Sequence, residues 1–227
     1  MQENTVMRKL SEKLFAEALG TSFLLLSIVG SGAMVAGASQ DAGLRLFVIA
    51  SVTVAALFVS INLMAPISGA HFNPAVSLVA LFRKELSVGE FFGYFLAQVL
   101  GASIGVITAN VLYQLPAIEI STTSRGGSHL FLSEIVATFG LILVVFSTWV
   151  KISTMARSSL IVLWIGGAYF FTSSSSFANP AVTLARTLTD SYTGIAPSSV
   201  LTFIAAQVLG ALIAMTVIKV LDSEKNG

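Results

Sequence analysis

Two short segments of this sequence begin with the same three residues, and these residues suit hydrogen bonding to a solute. The segments start at Asn73-Pro74-Ala75 and at Asn179-Pro180-Ala181. Asparagine before proline is a favoured helix start, because the asparagine caps free backbone N–H groups and proline has no N–H to leave unpaired. The chemistry available is therefore donation by two side-chain amides, each beside a helix end with a partial positive charge.

The composition places both segments in a membrane protein. Hydrophobic residues make up 55% of the 227 residues and charged residues only 10%, whereas soluble domains average about 25% charged residues. The net charge of +1, without a basic patch, argues against a nucleic-acid partner. Several apolar stretches are long enough to cross the roughly 30 Å hydrocarbon core as helices. They are residues 14–37, 45–66, 90–113, 130–150, 158–176 and 199–221.

The two Asn-Pro-Ala segments are too short to span a membrane. They cover about residues 73–83 and 179–188, and each would be roughly 15 Å long as a helix. That length is about half of the hydrocarbon core. The predicted fold class is therefore an all-α membrane protein with six transmembrane helices and two re-entrant half-helices.

The two halves of the chain repeat each other. The order is a glutamate in a span, then Asn-Pro-Ala, then a glutamine in a later span. Each copy holds three spans, so the second copy must enter the membrane from the opposite side. The recurring anchors are Ala97-Gln98-Val99-Leu100-Gly101-Ala102 with Ala206-Gln207-Val208-Leu209-Gly210-Ala211, and Glu17 and Thr21 with Glu134 and Thr138.

We therefore expect an inverted 3+3 repeat over about residues 12–113 and 129–222, inside one channel domain that covers residues 1–227. Inversion would bring the N-termini of the two half-helices together near the midplane. Their positive ends would repel cations and protons there, while a neutral solute with hydroxyl groups could accept hydrogen bonds.

The basic residues predict the orientation, because cytoplasmic loops of membrane proteins are enriched in lysine and arginine. We expect both termini on the cytoplasmic side of the cell inner membrane. The residues assigned to the cytoplasmic face are Arg8, Lys9, Lys13, Arg83, Lys84, Lys151, Arg157, Lys219 and Lys225, and those assigned to the other face are Arg45, Arg125 and Arg186.

These features together resemble the aquaporin, or major intrinsic protein, superfamily over nearly the whole chain. The resemblance implies a homotetramer with one pore in each subunit and passive transport of water, glycerol or similar neutral solutes. The residues that carry it are Ser68-Gly69-Ala70-His71-Phe72-Asn73-Pro74-Ala75-Val76, Asn179-Pro180-Ala181, Glu17, Glu134, Gln98 and Gln207.

The resemblance also implies a second constriction on the extracellular side of the asparagine pair. Counting from the two motifs places its four positions at Thr53, Gly167, Ser176 and Val182. Most relatives carry arginine where Val182 stands, and strict water channels carry larger groups at the other three positions. We therefore expect a wide, moderately polar and uncharged filter, which resembles that of bacterial aquaglyceroporins associated with arsenic resistance.

The role of Arg186 has two interpretations. Arg186 lies one helical turn beyond Val182. It either partly replaces the missing charge or extends to the membrane interface, as long basic side chains often do.

Three further polar residues lie inside the predicted membrane region. In the family, glutamates at the positions of Glu17 and Glu134 brace backbone groups of the re-entrant loops; the alternative is a proton relay. His71 is expected to line the pore vestibule by hydrogen bonding, with a gate or a metal ligand as the alternatives. Two distant histidines and no cysteine make no metal site, so we expect neither a metal nor a cofactor.

The expected function is a passive membrane channel for water, glycerol-like polyols and undissociated metalloid acids such as arsenite. The alternative is an ion-coupled secondary transporter of a small solute, since such proteins also use inverted repeats and broken helices. An enzyme is not expected, because the serine run at 173–176 has no accompanying base motif.

Overall fold

The computed structural model describes residues 8–147 and 149–223, and this part of the chain is helical without strands. Lys225, which contributed to the predicted orientation, lies outside the described residues. The long helices are α1 (Leu10–Ala38), α2 (Ala42–Ser68), α4 (Val88–Leu112), α5 (Ser128–Phe146), α6 (Thr154–Phe171) and α8 (Pro197–Ser223). The short helices are α3 (Pro74–Phe82) and α7 (Pro180–Ala185), and a 3-10 turn, Arg186–Leu188, continues α7.

The long helices confirm the predicted spans. All six are long and apolar enough to cross a membrane. Local signals set their ends: the Asp41 carboxylate accepts from Leu44 N–H at 2.6 Å, and Ser87 and Glu90 form a reciprocal capping box. The main difference is α6, which ends at Phe171 rather than near residue 176.

The two halves of the chain pack in the same way. Helix α1 packs most extensively against α4, α5 packs most extensively against α8, and α2 against α6 joins the halves. Each short helix contacts both α4 and α8, so α3 and α7 lie between the halves. Large apolar side chains such as Leu96, Leu100 and Ile104 stay exposed along the outside of α4, as expected for a surface that faces lipid.

Glycine permits the close approach of the paired helices. A Cβ added at Gly101 would overlap the backbone of Ala18 in α1, and one added at Gly210 would overlap the carbonyl of Ile135 in α5. Both glycines belong to the recurring Ala-Gln-Val-Leu-Gly-Ala segment. That repeated segment therefore carries a packing requirement as well as a polar side chain.

We expect Gly101→Ala to destabilise the protein, because the added methyl group would push backbone apart at the α1–α4 contact. Overpacking of this kind costs about 1–3 kcal/mol or more. Thermal unfolding of detergent-solubilised protein measures the loss. Gly89→Ala in the same helix is the matched control, since no atom lies within 4 Å of a Cβ built there. Equal melting temperatures for the two variants would contradict this packing account.

Candidate functional site

The two short helices begin at the predicted asparagines. The Asn73 side-chain oxygen accepts from Ala75 N–H at 2.9 Å, and that of Asn179 accepts from Ala181 N–H at 2.9 Å. Pro74 and Pro180 occupy the first turns, where their missing N–H costs nothing. The half-helices therefore start as expected, although α7 is shorter than predicted and tightens into a 3-10 turn.

The same two asparagines join the loops that precede the short helices. The Asn73 amide donates to the carbonyl oxygen of Ala178 at 2.7 Å, and the Asn179 amide donates to the carbonyl oxygen of Phe72 at 2.8 Å. Each asparagine thus caps its own helix and holds the opposite loop. A side-chain amide nitrogen carries two N–H groups, so each amide retains a second donor.

The loop between α2 and α3 has an irregular backbone, so its N–H groups cannot form a regular set of hydrogen bonds within the loop. Gly69, Ala70 and Phe72 all have positive φ angles, at 87°, 52° and 49°. The Glu17 carboxylate accepts from the N–H groups of His71 at 2.9 Å and Phe72 at 2.7 Å, which satisfies donors that have no water inside a membrane.

Side chains complete the coordination of this carboxylate. Ser68 donates to one Glu17 oxygen at 2.6 Å, and the Gln98 amide donates to the other at 2.8 Å. The Gln98 amide nitrogen also donates to the Ser77 hydroxyl in α3 at 3.0 Å. Four donors therefore converge on a fully buried acid, an arrangement that fits an ionised carboxylate.

The second loop is held by an equivalent arrangement. Glu134 accepts from Phe177 N–H at 3.0 Å, from Ala178 N–H at 2.8 Å and from the Gln207 amide at 2.6 Å. The hydroxyl of Ser174 also bonds to this carboxylate. Like Gln98, Gln207 bridges to the short helix of its half, donating to the Thr183 hydroxyl at 2.9 Å.

A cavity of about 320 Å³ extends past both asparagines. Thr53, Ser176 and Val182, which are three of the four predicted filter residues, line it. Ser176 is 5% exposed, and its hydroxyl has no hydrogen-bond partner in the described part of the chain, so it is free to bond to a solute.

Gly167, the fourth predicted filter residue, is placed elsewhere. It lies on the exposed face of α6 with Leu163 and Phe171, and a Cβ built on it would meet Phe171 at 3.3 Å. Tyr169 lines the cavity instead, and its hydroxyl lies 3.3 Å from that of Thr53. Counting back from Asn179 fails here because the helical phase of α6 determines which residue faces inward.

Arg186 does not extend to the membrane interface. Its side chain is 5% exposed, lines the cavity, and donates through Nε to the carbonyl oxygen of Thr193. The guanidinium carbon lies 3.6 Å from the ring centre of Phe177. Of the two interpretations that the sequence left open, this burial favours a charge at the cavity.

His71 also lines the cavity, with Nδ1 3.0 Å from the Ser77 hydroxyl. The cluster of histidine and acidic side chains that a metal ion would need is absent from the part of the chain that the structure describes. Tyr169 and Phe177 are among the lining residues that the sequence did not predict. The spacing of inward residues along α6 could have indicated Tyr169, since Ile161 and Ile165 line the same cavity at helical intervals.

We expect Glu17→Gln to lower the thermal stability of the protein, because an amide nitrogen would face donors that now bond to a carboxylate oxygen. Leaving a buried donor unpaired costs about 1–3 kcal/mol. Thermal unfolding in detergent measures this loss, and Glu134→Gln should behave in the same way. The control is Glu12→Gln. Glu12 is exposed and pairs with Arg8 at 3.8 Å on the surface, where an ion pair contributes little to stability. Stability equal to that of the control would argue against a bracing role.

Comparison with known proteins agrees with this geometry. The Major intrinsic protein family matches residues 4–178. The chain is 40% identical to the aquaglyceroporin AqpS of Rhizobium meliloti (strain 1021), over 92% of this chain and 90% of that protein. It is 30% identical to a probable aquaporin, TIP-type alpha, of Phaseolus vulgaris, over 66% of this chain and 61% of that protein.

A solved structure has the same fold. The X-ray structure of the aquaglyceroporin from Plasmodium falciparum superimposes with a TM-score of 0.73 at 25% identity, covering 92% of this chain and 95% of that one. The aquaporin fold is thus shared, and the six apolar helices make this a multi-pass membrane protein. This chain belongs to the major intrinsic protein family.

Proposed function

We propose that this chain is a passive channel for water and glycerol whose wide outer filter also admits undissociated metalloid acids such as arsenious acid. The observation that carries the proposal is Val182. Val182 is buried and lines the cavity directly after the second Asn-Pro-Ala, at the position where the family resemblance predicts arginine. A small apolar side chain there leaves room that a guanidinium would fill.

The filter that we propose consists of Thr53, Tyr169, Ser176 and Val182. Tyr169 replaces Gly167 because it lies at the cavity. The Tyr169 and Thr53 hydroxyls and the Ser176 hydroxyl supply polar contacts to the passage, while Val182 supplies an apolar contact. This combination suits a solute that carries hydroxyl groups and no charge.

We also propose how the repeats, the subunits and the termini are arranged. The two halves, at about 12–113 and 129–222, are inverted repeats that meet where Asn73 and Asn179 bond to the opposite loop. The assembly is a homotetramer in the cell inner membrane, with both termini in the cytoplasm. The protein is not an enzyme, since the family consists of channels.

We expect Val182→Arg to lower glycerol and arsenite permeability by about tenfold while water permeability changes less than about twofold, because the long side chain narrows the filter. A tenfold change corresponds to about 1.4 kcal/mol of barrier. Stopped-flow light scattering of proteoliposomes measures all three solutes. Val182→Leu is the matched control, since it adds volume without charge.

The same vesicles distinguish a channel from an ion-coupled transporter. A protonophore should leave every rate unchanged in a passive channel, whereas coupled uptake would collapse with the proton gradient. Equal permeabilities of the wild type and Val182→Arg for all solutes would remove Val182 from the filter. Uptake that needs a gradient would refute the channel itself.

We expect Tyr169→Ala to raise the permeability for a larger polyol such as sorbitol relative to glycerol, because it removes an aromatic ring from the constriction. Gly167→Leu should leave that ratio unchanged, because Gly167 lies on the exposed face of α6. The measurement is the ratio of the two permeabilities in proteoliposomes, after gel filtration shows that each variant is folded. An altered ratio in Gly167→Leu would restore Gly167 to the filter even if Tyr169→Ala fails to fold.

A further inference from the structure

A second cavity, of about 410 Å³, lies next to the pore cavity. Its walls come from the loop segments 123–126 and 192–193 and from the ends of neighbouring helices, and we call it the outer vestibule. Tyr169 and Arg186 line both cavities and therefore stand at their junction. A solute that enters from this side passes these two residues before it reaches Val182.

Two arginines face the outer vestibule together. Arg125 is half-buried and Arg186 is buried, and both guanidinium groups lie against the ring of Phe177, at 5.2 Å and 3.6 Å from its centre. The hydrogen-bond acceptors of both side chains are neutral: Arg125 donates to the carbonyl oxygens of Gly194 at 2.9 Å and Tyr192 at 3.3 Å, and Arg186 donates to that of Thr193.

The vestibule residues supply no negative charge against this pair. Across residues 8–147 and 149–223, neither guanidinium has a carboxylate within ion-pair distance, and no acidic residue lines the cavity. Asp190 bonds to Thr122 at 2.9 Å instead. Glu134 attracts both guanidinium groups from a distance, but it makes no ion pair with either, and its oxygens accept from Phe177, Ala178 and Gln207.

Such a pair is unfavourable when no carboxylate contacts it. Burial lowers the pKa of Arg125, because removal from water disfavours its charged form. The two guanidiniums, which lie against the same aromatic ring, also repel each other. An anion between them would offset both costs.

We propose that the outer vestibule binds a small tetrahedral oxyanion between Arg125 and Arg186, at the entrance to the pore. Guanidinium groups present paired donors that match the oxygens of phosphate-like anions. Hydroxyls of Thr123, Ser124 and Ser175 line the same cavity, and the unpartnered Ser176 hydroxyl lies in the adjoining one. Bound there, the oxyanion occupies the route of neutral solutes and lowers their entry.

The binding test uses purified full-length protein in detergent and inorganic phosphate as the probe. At constant ionic strength against chloride, phosphate should raise the melting temperature with a saturable concentration dependence, as a ligand of the native state does. Arg125→Gln and Arg186→Gln should each weaken the apparent affinity by at least about tenfold, because each removes a charge-assisted contact. Phosphate also stabilises proteins non-specifically, so the difference between variants is the readout.

Arg45→Gln is the matched control. Arg45 is assigned by sequence to the same side of the membrane, and its guanidinium lies 5.5 Å from the ring centre of Tyr192, but its side chain bonds to Ser39 and Gln40 and does not itself line the vestibule. It should retain the wild-type response. If Arg186→Gln fails to fold, Arg125→Gln carries the test, because its side chain is only half-buried.

The second measurement is glycerol permeability of proteoliposomes with phosphate on both sides at matched osmolarity. Saturating phosphate should lower the wild-type rate at least about twofold and leave the Arg125→Gln rate unaltered relative to chloride. Binding does not rest on the proposed function, whereas this effect on permeation does. Absence of glycerol permeation with phosphate binding intact would refute the channel function alone.

Three results would overturn the proposal. One is no saturable phosphate shift in the wild type, and another is the same shift in all three arginine variants, which would indicate a general salt effect. The third is saturable binding that Arg125→Gln removes while glycerol permeation stays insensitive to phosphate, which would place the anion off the route of the solute.

Discussion

The structure depends on one constraint: two irregular loops lie between the halves of a membrane protein, where backbone groups cannot be satisfied by water. Glu17 and Glu134 meet it by accepting from consecutive N–H groups of the loops, and each asparagine donates to a buried carbonyl oxygen of the opposite loop. An acid is needed because only an ionised carboxylate accepts at every site without donating. The glutamates, glutamines and asparagines therefore form one unit, and the short helices cannot be placed without it.

The two halves of the chain place different side chains along the passage. Three residues after each asparagine stand Val76 and Val182, and both line the cavity. The halves differ two residues before the asparagines, where the first has His71 and the second has Phe177. The aromatic ring of Phe177 then supports Arg186, which has no charged counterpart in the first half. Arg186 therefore places positive charge beside the second loop, and Arg157 of α6 lines the same cavity as well.

The sequence predicted the spans, the short helices and the polar anchors because each rests on local signals: apolar length, helix capping and an internal repeat. It misplaced Gly167 because an offset counted through residues 172–178 carries no information on the helical phase of α6, which ends at Phe171. It left Arg186 undecided for a related reason. Helix α7 has only six residues before the 3-10 turn, and the following loop folds back so that Thr193 accepts from Arg186. Neither feature is visible in spacing or composition.

Because the arginine stands at Arg186 rather than at the position of Val182, different residues govern the exclusion of charged solutes and the exclusion of large solutes. An arginine at the position of Val182 would do both, since its length narrows the filter while its charge repels cations. In the filter that we propose, Val182 leaves the passage wide, while Arg186 keeps a positive charge one turn away and Arg125 adds a second. A cation entering through the outer vestibule is repelled before it reaches Val182, because charges in a poorly hydrated cavity act strongly over short distances. Neutral solutes experience no such barrier, so we propose that this architecture admits a larger neutral solute and still excludes cations.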